Sequence, residues 1–284
     1  MAQFHKLVFA NMRPSVLIVL ALLTLSGCAG GPAPQAVRVF DREVELRRAG
    51  GGAMTVVFQS GLGDDSEVWG GLMGRLDGVA RLVAVSRPGY GGSAPVAGPR
   101  DACRIADEQR ETLRAAGIAP PYVLVGHSLG GLYQFAFAKR YPQDTAALVL
   151  IDPTHPSHWM SLQTEAPAMA TVIKGARLLF RPAMAREFDD QEKCLGTLDP
   201  AEPVSVPTRL IVRGEFAPLE RGDFERMVRR LQMDWQRMTR APAVEPIRSS
   251  GHYVFRDQPD AVAAIIRETV NAVVAAPARA PAMR

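Results

Sequence analysis

Between residues 37 and 275 the chain alternates short apolar runs with longer stretches whose apolar positions recur at helical spacing. The runs at 37–40 and 44–46 interleave apolar with charged residues, which predicts an edge strand with one solvated face. Nearly continuous apolar runs follow at 54–58, 82–85, 122–125, 147–151 and 208–212, and a last short run lies at 244–247. Predicted helices over 69–76, 102–116, 129–140, 221–240 and 261–275 separate them, and Gly117 stops the second. Apolar strands spaced by helices mean a mostly parallel sheet covered on both faces, an α/β architecture. From about 153 to 203 the rhythm breaks. That Met-, Pro- and Ala-rich stretch has helix-like patterning and no strand, so it predicts a small helical cap inserted after the strand ending at Asp152. No internal repeat is present.

A length of 284 residues with 47% hydrophobic positions fits one domain with one substantial core. The N-terminus changes that picture. Lys6 and Arg13 precede an unbroken apolar run at 16–23, the layout of an export signal and too short to span a bilayer. The run ends at Leu25-Ser26-Gly27-Cys28, which resembles the lipobox of bacterial lipoproteins. That resemblance implies a signal peptide over 1–27 and acylation of Cys28 at the head of a linker over 28–36. The expected location is the cell envelope; Ala29 after the cysteine leans toward the periplasmic face of the outer membrane. Several acyl chains would hold the protein firmly on a membrane. The folded domain is expected over 37–275, with a disordered Pro- and Ala-rich tail over 276–284.

Removing the leader takes two cations and no acid from a formal charge of +4, so nothing points to nucleic acid. Arginines between 221 and 240 share their stretch with Phe224, Met227, Val228, Leu231 and Trp235 at helical spacing, and read as the solvated face of an amphipathic helix. In an oxidising compartment Cys103 and Cys194 form a disulfide or stay as two free thiols; spacing leaves both open.

Candidate chemistry centres on Gly126-His127-Ser128-Leu129-Gly130. An apolar strand runs into this G-x-S-x-G motif and a helix follows, the context in which a sharp turn lifts a serine hydroxyl to the carboxyl end of a sheet. The stretch resembles the nucleophile elbow of the α/β-hydrolase family. Residues 60–63 (Ser-Gly-Leu-Gly) are similar to the family's oxyanion loop, without its usual His-Gly. Residues 86–93 resemble its D-x-x-G-x-G-x-S stretch with Ser86 in place of the aspartate, and Ser250-Gly251-His252 resembles its late histidine segment.

The resemblance implies Ser128 as nucleophile and a chain order of serine, acid, histidine. Of five histidines, His252 lies in a loop after the last predicted strand, where the resemblance places the base. His155 and His158 lack a third metal ligand, so no metal is expected, and no cofactor either. For the acid, Asp152 is preferred, Glu215 is second and Asp223 third; Ala217 stands where the family's aspartate is usual. Backbone N–H groups of Leu62 and Leu129 are the implied oxyanion donors.

The chemistry so implied is hydrolysis of a small-molecule carboxylic ester, or of a thioester or amide, through an acyl-enzyme. A serine at the elbow argues against dehalogenases and epoxide hydrolases, which need a carboxylate there. Met160, Met169, Leu178, Leu179, Phe180 and Met184 are candidates for an apolar acyl pocket or for packing the cap. The alternatives are an acyltransferase or peptidase of the same fold, or a non-catalytic membrane-anchored binding module, which the departures at Ser86 and Ala217 would favour. The oligomeric state is not legible.

Overall fold

The computed structural model describes residues 31–199 and 202–276. The leader and Cys28 therefore lie outside the described residues, as does the tail beyond 276.

Eight strands form one sheet in the order β1-β2-β4-β3-β5-β6-β7-β8. They are β1 (Pro34–Val39), β2 (Arg42–Gly50), β3 (Thr55–Gln59), β4 (Arg81–Val85), β5 (Tyr122–His127), β6 (Thr145–Ile151), β7 (Thr208–Arg213) and β8 (Val244–Ile247). From β4 to β8 every neighbouring pair is parallel. The expected single edge strand is instead an antiparallel hairpin of β1 and β2, and β2 pairs antiparallel with β4. Phe40, in a left-handed conformation at φ 55°, turns the chain between the two strands. No Gly or Asn marks that turn, so the alternation reads straight through it. The first strand also begins inside the expected linker, at Pro34.

Nine α-helices are described: α1 (Gly70–Arg75), α2 (Ala102–Ala115), α3 (Leu129–Arg140), α4 (His158–Glu165), α5 (Pro167–Ala176), α6 (Pro182–Asp190), α7 (Asp223–Thr239), α8 (Val254–Asp257) and α9 (Pro259–Ala275). The central strands are buried on both faces, so each face needs a helical cover. Leu124, Leu148 and Leu210 pack with α2, α3 and α7 through residues such as Ile105, Phe135 and Trp235. Val123, Val149 and Ile211 pack on the other side with α1, α8 and α9 through Leu72, Phe255 and Ile266.

The insertion after β6 carries α4, α5 and α6, the predicted cap. Leu162 and Ala170 of its first two helices, with Ala166 between them, meet Phe216 and the Met227, Val228 and Leu231 stripe of α7. The arginines of α7 stand on its outer side, where Arg226, Arg229 and Arg230 pair with Asp223, Glu225 and Glu165. Cys103 at the start of α2 is bonded to Cys194, just past α6, so the disulfide ties the end of the cap to the body. Among the described residues no helix is long and apolar enough to cross a membrane.

Candidate active site

Ser128 sits between β5 and α3 with φ 53° and ψ −124°, a backbone conformation that costs a non-glycine residue energy and persists only where its surroundings impose it. Two glycines make room for the turn. A Cβ on Gly126 would stand 2.4 Å from the Gly130 carbonyl oxygen, and one on Gly130 only 2.2 Å from that of Gln59. Gly130→Ala is therefore expected to cost about 3 kcal/mol of stability, seen as a lower urea midpoint, because the colliding atoms are backbone and cannot rotate away.

The chain brings Asp152 and His252 to the same place from the end of β6 and the loop after β8. Asp152, at φ 43°, is itself in a left-handed conformation. His252 Nδ1 lies 2.6 Å from Asp152 Oδ2. Arg213, at the end of β7, donates through Nε to the same carboxylate oxygen (2.7 Å) and through Nη1 to Glu220 Oε1 (2.9 Å). Its Nη2 lies 2.8 Å from His252 Nδ1. That ring nitrogen either donates to the carboxylate or accepts from the guanidinium, and donation is the state that leaves Nε2 with a free lone pair. Burial pushes the Asp152 carboxyl up, but the Arg213 cation and the His252 hydrogen bond outweigh it and hold it well below the usual carboxylate range.

Glu215 is exposed and does not join this group; its amide donates to the Ser250 carbonyl instead. Asp223 opens α7 and pairs with Arg226 on the surface. Sequence reasoning missed Arg213, whose partner is 61 positions away and whose own segment has no distinguishing pattern. It also missed the role of His127, whose Nε2–H donates to the His252 carbonyl (2.8 Å) and props the histidine loop from below the elbow. Burial, then the neighbouring His252, pulls the His127 pKa well down, so it remains neutral. The hydrogen-bonding neighbour of the Ser128 hydroxyl is Thr154 Oγ1 at 3.4 Å.

Ser128, Asp152 and His252 line one cavity of about 180 Å³. The apolar cap residues weighed for an acyl pocket or for packing do not line it. Met160, Leu178 and Leu179 are exposed, Met169 packs within the cap, Phe180 meets Phe188 edge to face, and Met184 lies against Gly63. The lining comes instead from His155, His158 and Ile173 of the insertion and from Phe224, Val228, Leu231, Gln232 and Trp235 of α7. Composition left the methionines open between lining a pocket and packing the cap. The helix that actually faces the cavity is the one whose apolar stripe reads as ordinary packing.

Two departures from the family pattern are compensated. Ser86 Oγ donates to Glu45 Oε1 (2.7 Å), and Glu45 also takes the Ser66 hydroxyl and the Gly92 amide, so β2 supplies the carboxylate that position 86 lacks. In the 60–63 loop, Arg87 donates to the Ser60 and Gly61 carbonyls (2.7 and 2.8 Å). The Leu62 N–H has no acceptor among the described residues. Leu129 opens α3, so its N–H has no intrahelical partner.

The family model described as Alpha/beta hydrolase family matches residues 56–265. The chain belongs to the alpha/beta hydrolase family. Among curated proteins it is similar to Uncharacterized protein YqjL of Bacillus subtilis (strain 168), 34% identical over 106 residues, which is 37% of this chain and 42% of that protein. The chain spans less than half the length of the curated relatives it matches. Among solved structures it resembles a membrane phospholipase A described as a bacterial virulence factor, with TM-score 0.63 and 19% identity over 92% of this chain and 93% of that one. It also resembles a thermophilic esterase from Thermogutta terrifontis, with TM-score 0.58 and 19% identity over 85% and 99%. At these identities the structural likenesses speak to the fold.

Proposed function

We propose that this hydrolase cleaves carboxylic esters, or a closely related acyl bond, through an acyl-enzyme on Ser128. The observation that carries the reading is a serine held at a strained strand–helix elbow in the same cavity as a hydrogen-bonded His252–Asp152 pair. His252 Nε2 takes the Ser128 proton as the serine oxygen bonds to the substrate carbonyl carbon. The carbonyl oxygen becomes an oxyanion beside the Leu62 and Leu129 N–H groups. Collapse of this intermediate breaks the bond to the alkoxide, which leaves with the proton from His252. Water, deprotonated by the same imidazole, then releases the acid. Asp152 holds the Nδ1–H tautomer and stabilises the transient imidazolium.

The esterase and phospholipase among the similar structures act on acyl bonds by their descriptions, which accords with this reading. Acylation of Cys28, tethering the enzyme to an envelope membrane, is the accompanying proposal from the leader pattern. The distance from Ser128 to its nearest hydroxyl partner, Thr154 at 3.4 Å, leaves the serine without a tight hydrogen bond, which is what a non-catalytic binding module would also show. Apo sites commonly tighten only with substrate.

A fluorescent fluorophosphonate separates the two. The chain from Ala29 onward is expected to be labelled, and Ser128→Ala is not. Folded protein that takes no label would support the binding module.

A further inference from the structure

The cap helix α5 lies at the surface without a polar face. Its residues, Pro167–Ala176, include one charge, Lys174, and one hydroxyl, Thr171. Met169, Ala170 and Ile173 turn inward and pack with α4 and α7. Ala168, Val172 and Ala176, spaced four apart on another side, are exposed, Val172 at 66%. The single turn after the helix (Arg177–Leu179) adds Leu178 and Leu179, 85% and 88% exposed. A helix apolar on both sides is normally covered on both, and large apolar side chains exposed together mark a contact surface.

The charges and the course of the chain say what covers it. Residues 166–186 hold Lys174, Arg177, Arg181 and Arg186 and no acid. Asp189 and Glu192, which share a surface cleft with Lys174, are engaged by Arg177 and by the Met160 amide. Lys174 and Arg181 are exposed and pair with no carboxylate among the described residues. Exposed cations beside exposed leucines match a bilayer with anionic headgroups, which takes apolar side chains into its acyl boundary and attracts each cation. The chain also enters the domain at a suitable edge. A Cβ on Gly31 would stand 2.5 Å from Gly70 Cα at the head of α1. The turn before α1 is held by Ser86, just past β4, whose Oγ accepts from the Ser66 N–H over 3.0 Å. That is the carboxyl edge of the sheet, from which the cap is inserted. Cys28 stands three residues before Gly31, ~10 Å of chain at most. Acylation there, as proposed above, holds a bilayer close to this edge.

We propose that the outer face of α5 and the turn after it dock on an anionic bilayer, with Val172, Leu178 and Leu179 in the acyl boundary and Lys174 and Arg181 at the headgroups. Ile173, next to Val172, lines the cavity beside Ser128, so docking sets that cavity close to the membrane surface. The docking does not depend on Ser128 being a nucleophile.

The test sediments the chain from Ala29 onward, which holds every described strand and helix but no acyl chain, with phosphatidylcholine vesicles with and without phosphatidylglycerol. It is made on Ser128→Ala, so hydrolysis consumes no lipid and the outcome is separate from that of the fluorophosphonate labelling. The protein is expected to bind the mixed vesicles about tenfold more tightly than the neutral ones, or better. Leu178→Ser with Leu179→Ser is expected to weaken that binding by about tenfold or more. Lys174→Gln with Arg181→Gln is expected to bring the two affinities together. All four side chains are exposed, so the urea midpoints of both variants should match that of the parent. No binding to the mixed vesicles, equal binding to both kinds, or binding that the serine substitutions leave intact overturns the proposal. So does a dimer in sedimentation equilibrium that the same serine substitutions dissolve, which would assign the face to a second copy of the chain.

Discussion

Asp152→Asn is expected to lower kcat for a simple aryl ester by about four orders of magnitude, while Glu215→Gln stays within about twofold of the parent. The argument is about which proton His252 carries. With a carboxylate at 152, Nδ1 is a donor and Nε2 holds the lone pair that accepts from Ser128. An asparagine amide can donate to Nδ1, and the Arg213 Nη2 already 2.8 Å away reinforces that switch, leaving a proton on Nε2. Glu215 faces solvent and cannot take over. Near-full activity in Asp152→Asn, with loss in Glu215→Gln, would reassign the acid.

The same substitution has a stability signature with a definite sign. The folded-state pKa of Asp152 is depressed, so the native protein binds fewer protons than the unfolded chain in acid. Its contribution is fully present above the unfolded value of about 4 and is lost as pH falls toward the folded one. The difference in urea midpoint between parent and Asp152→Asn should therefore shrink between pH 7 and pH 3. A gap that holds constant over that range would mean the carboxylate is not held by Arg213 in solution.

What the sequence displayed, and what it hid, divides along the range of the interactions. The elbow was legible because a strand, a turn and a helix are contiguous and the turn tolerates only glycine on either side of the serine. The β/α rhythm and the cap were legible because fully buried strands repeat and then stop. Asp152 and His252 could be ordered along the chain, but their contact joins the ends of two strands 100 positions apart. Arg213, Arg87 and Glu45 were illegible as site residues. A buried cation or carboxylate is defined by its partners, and those come from other strands and helices. The cavity lining was hidden for a related reason: the stripe on α7 has the same periodicity whether it meets a core or an empty space.

Arg87→Met is expected to cost about 3–5 kcal/mol of stability and, in protein that remains folded, to reduce kcat more than it raises KM. Arg87 is 2% exposed and Glu187 of α6 is fully buried, and the pair is joined by two hydrogen bonds of 2.9 and 3.0 Å. Removing the cation leaves that carboxylate with Tyr90 and a long contact to Arg100 at 3.4 Å. The same guanidinium grips the Ser60 and Gly61 carbonyls. Gly61 C=O and Leu62 N–H belong to one planar trans peptide, so they point in opposite directions, and fixing the carbonyl fixes the amide. Loss of a well-aimed oxyanion donor is worth about 10²–10³ in kcat. Arg87→Lys separates aim from charge. It restores a positive charge beside Glu187 and should recover part of the denaturant midpoint, but a single ammonium nitrogen lacks the planar spread with which Nε, Nη1 and Nη2 reach the two carbonyls and the carboxylate. Its kcat should stay low while its stability rises. Recovery of both together would mean that Arg87 only holds the fold, and that the 60–63 loop aims Leu62 without it.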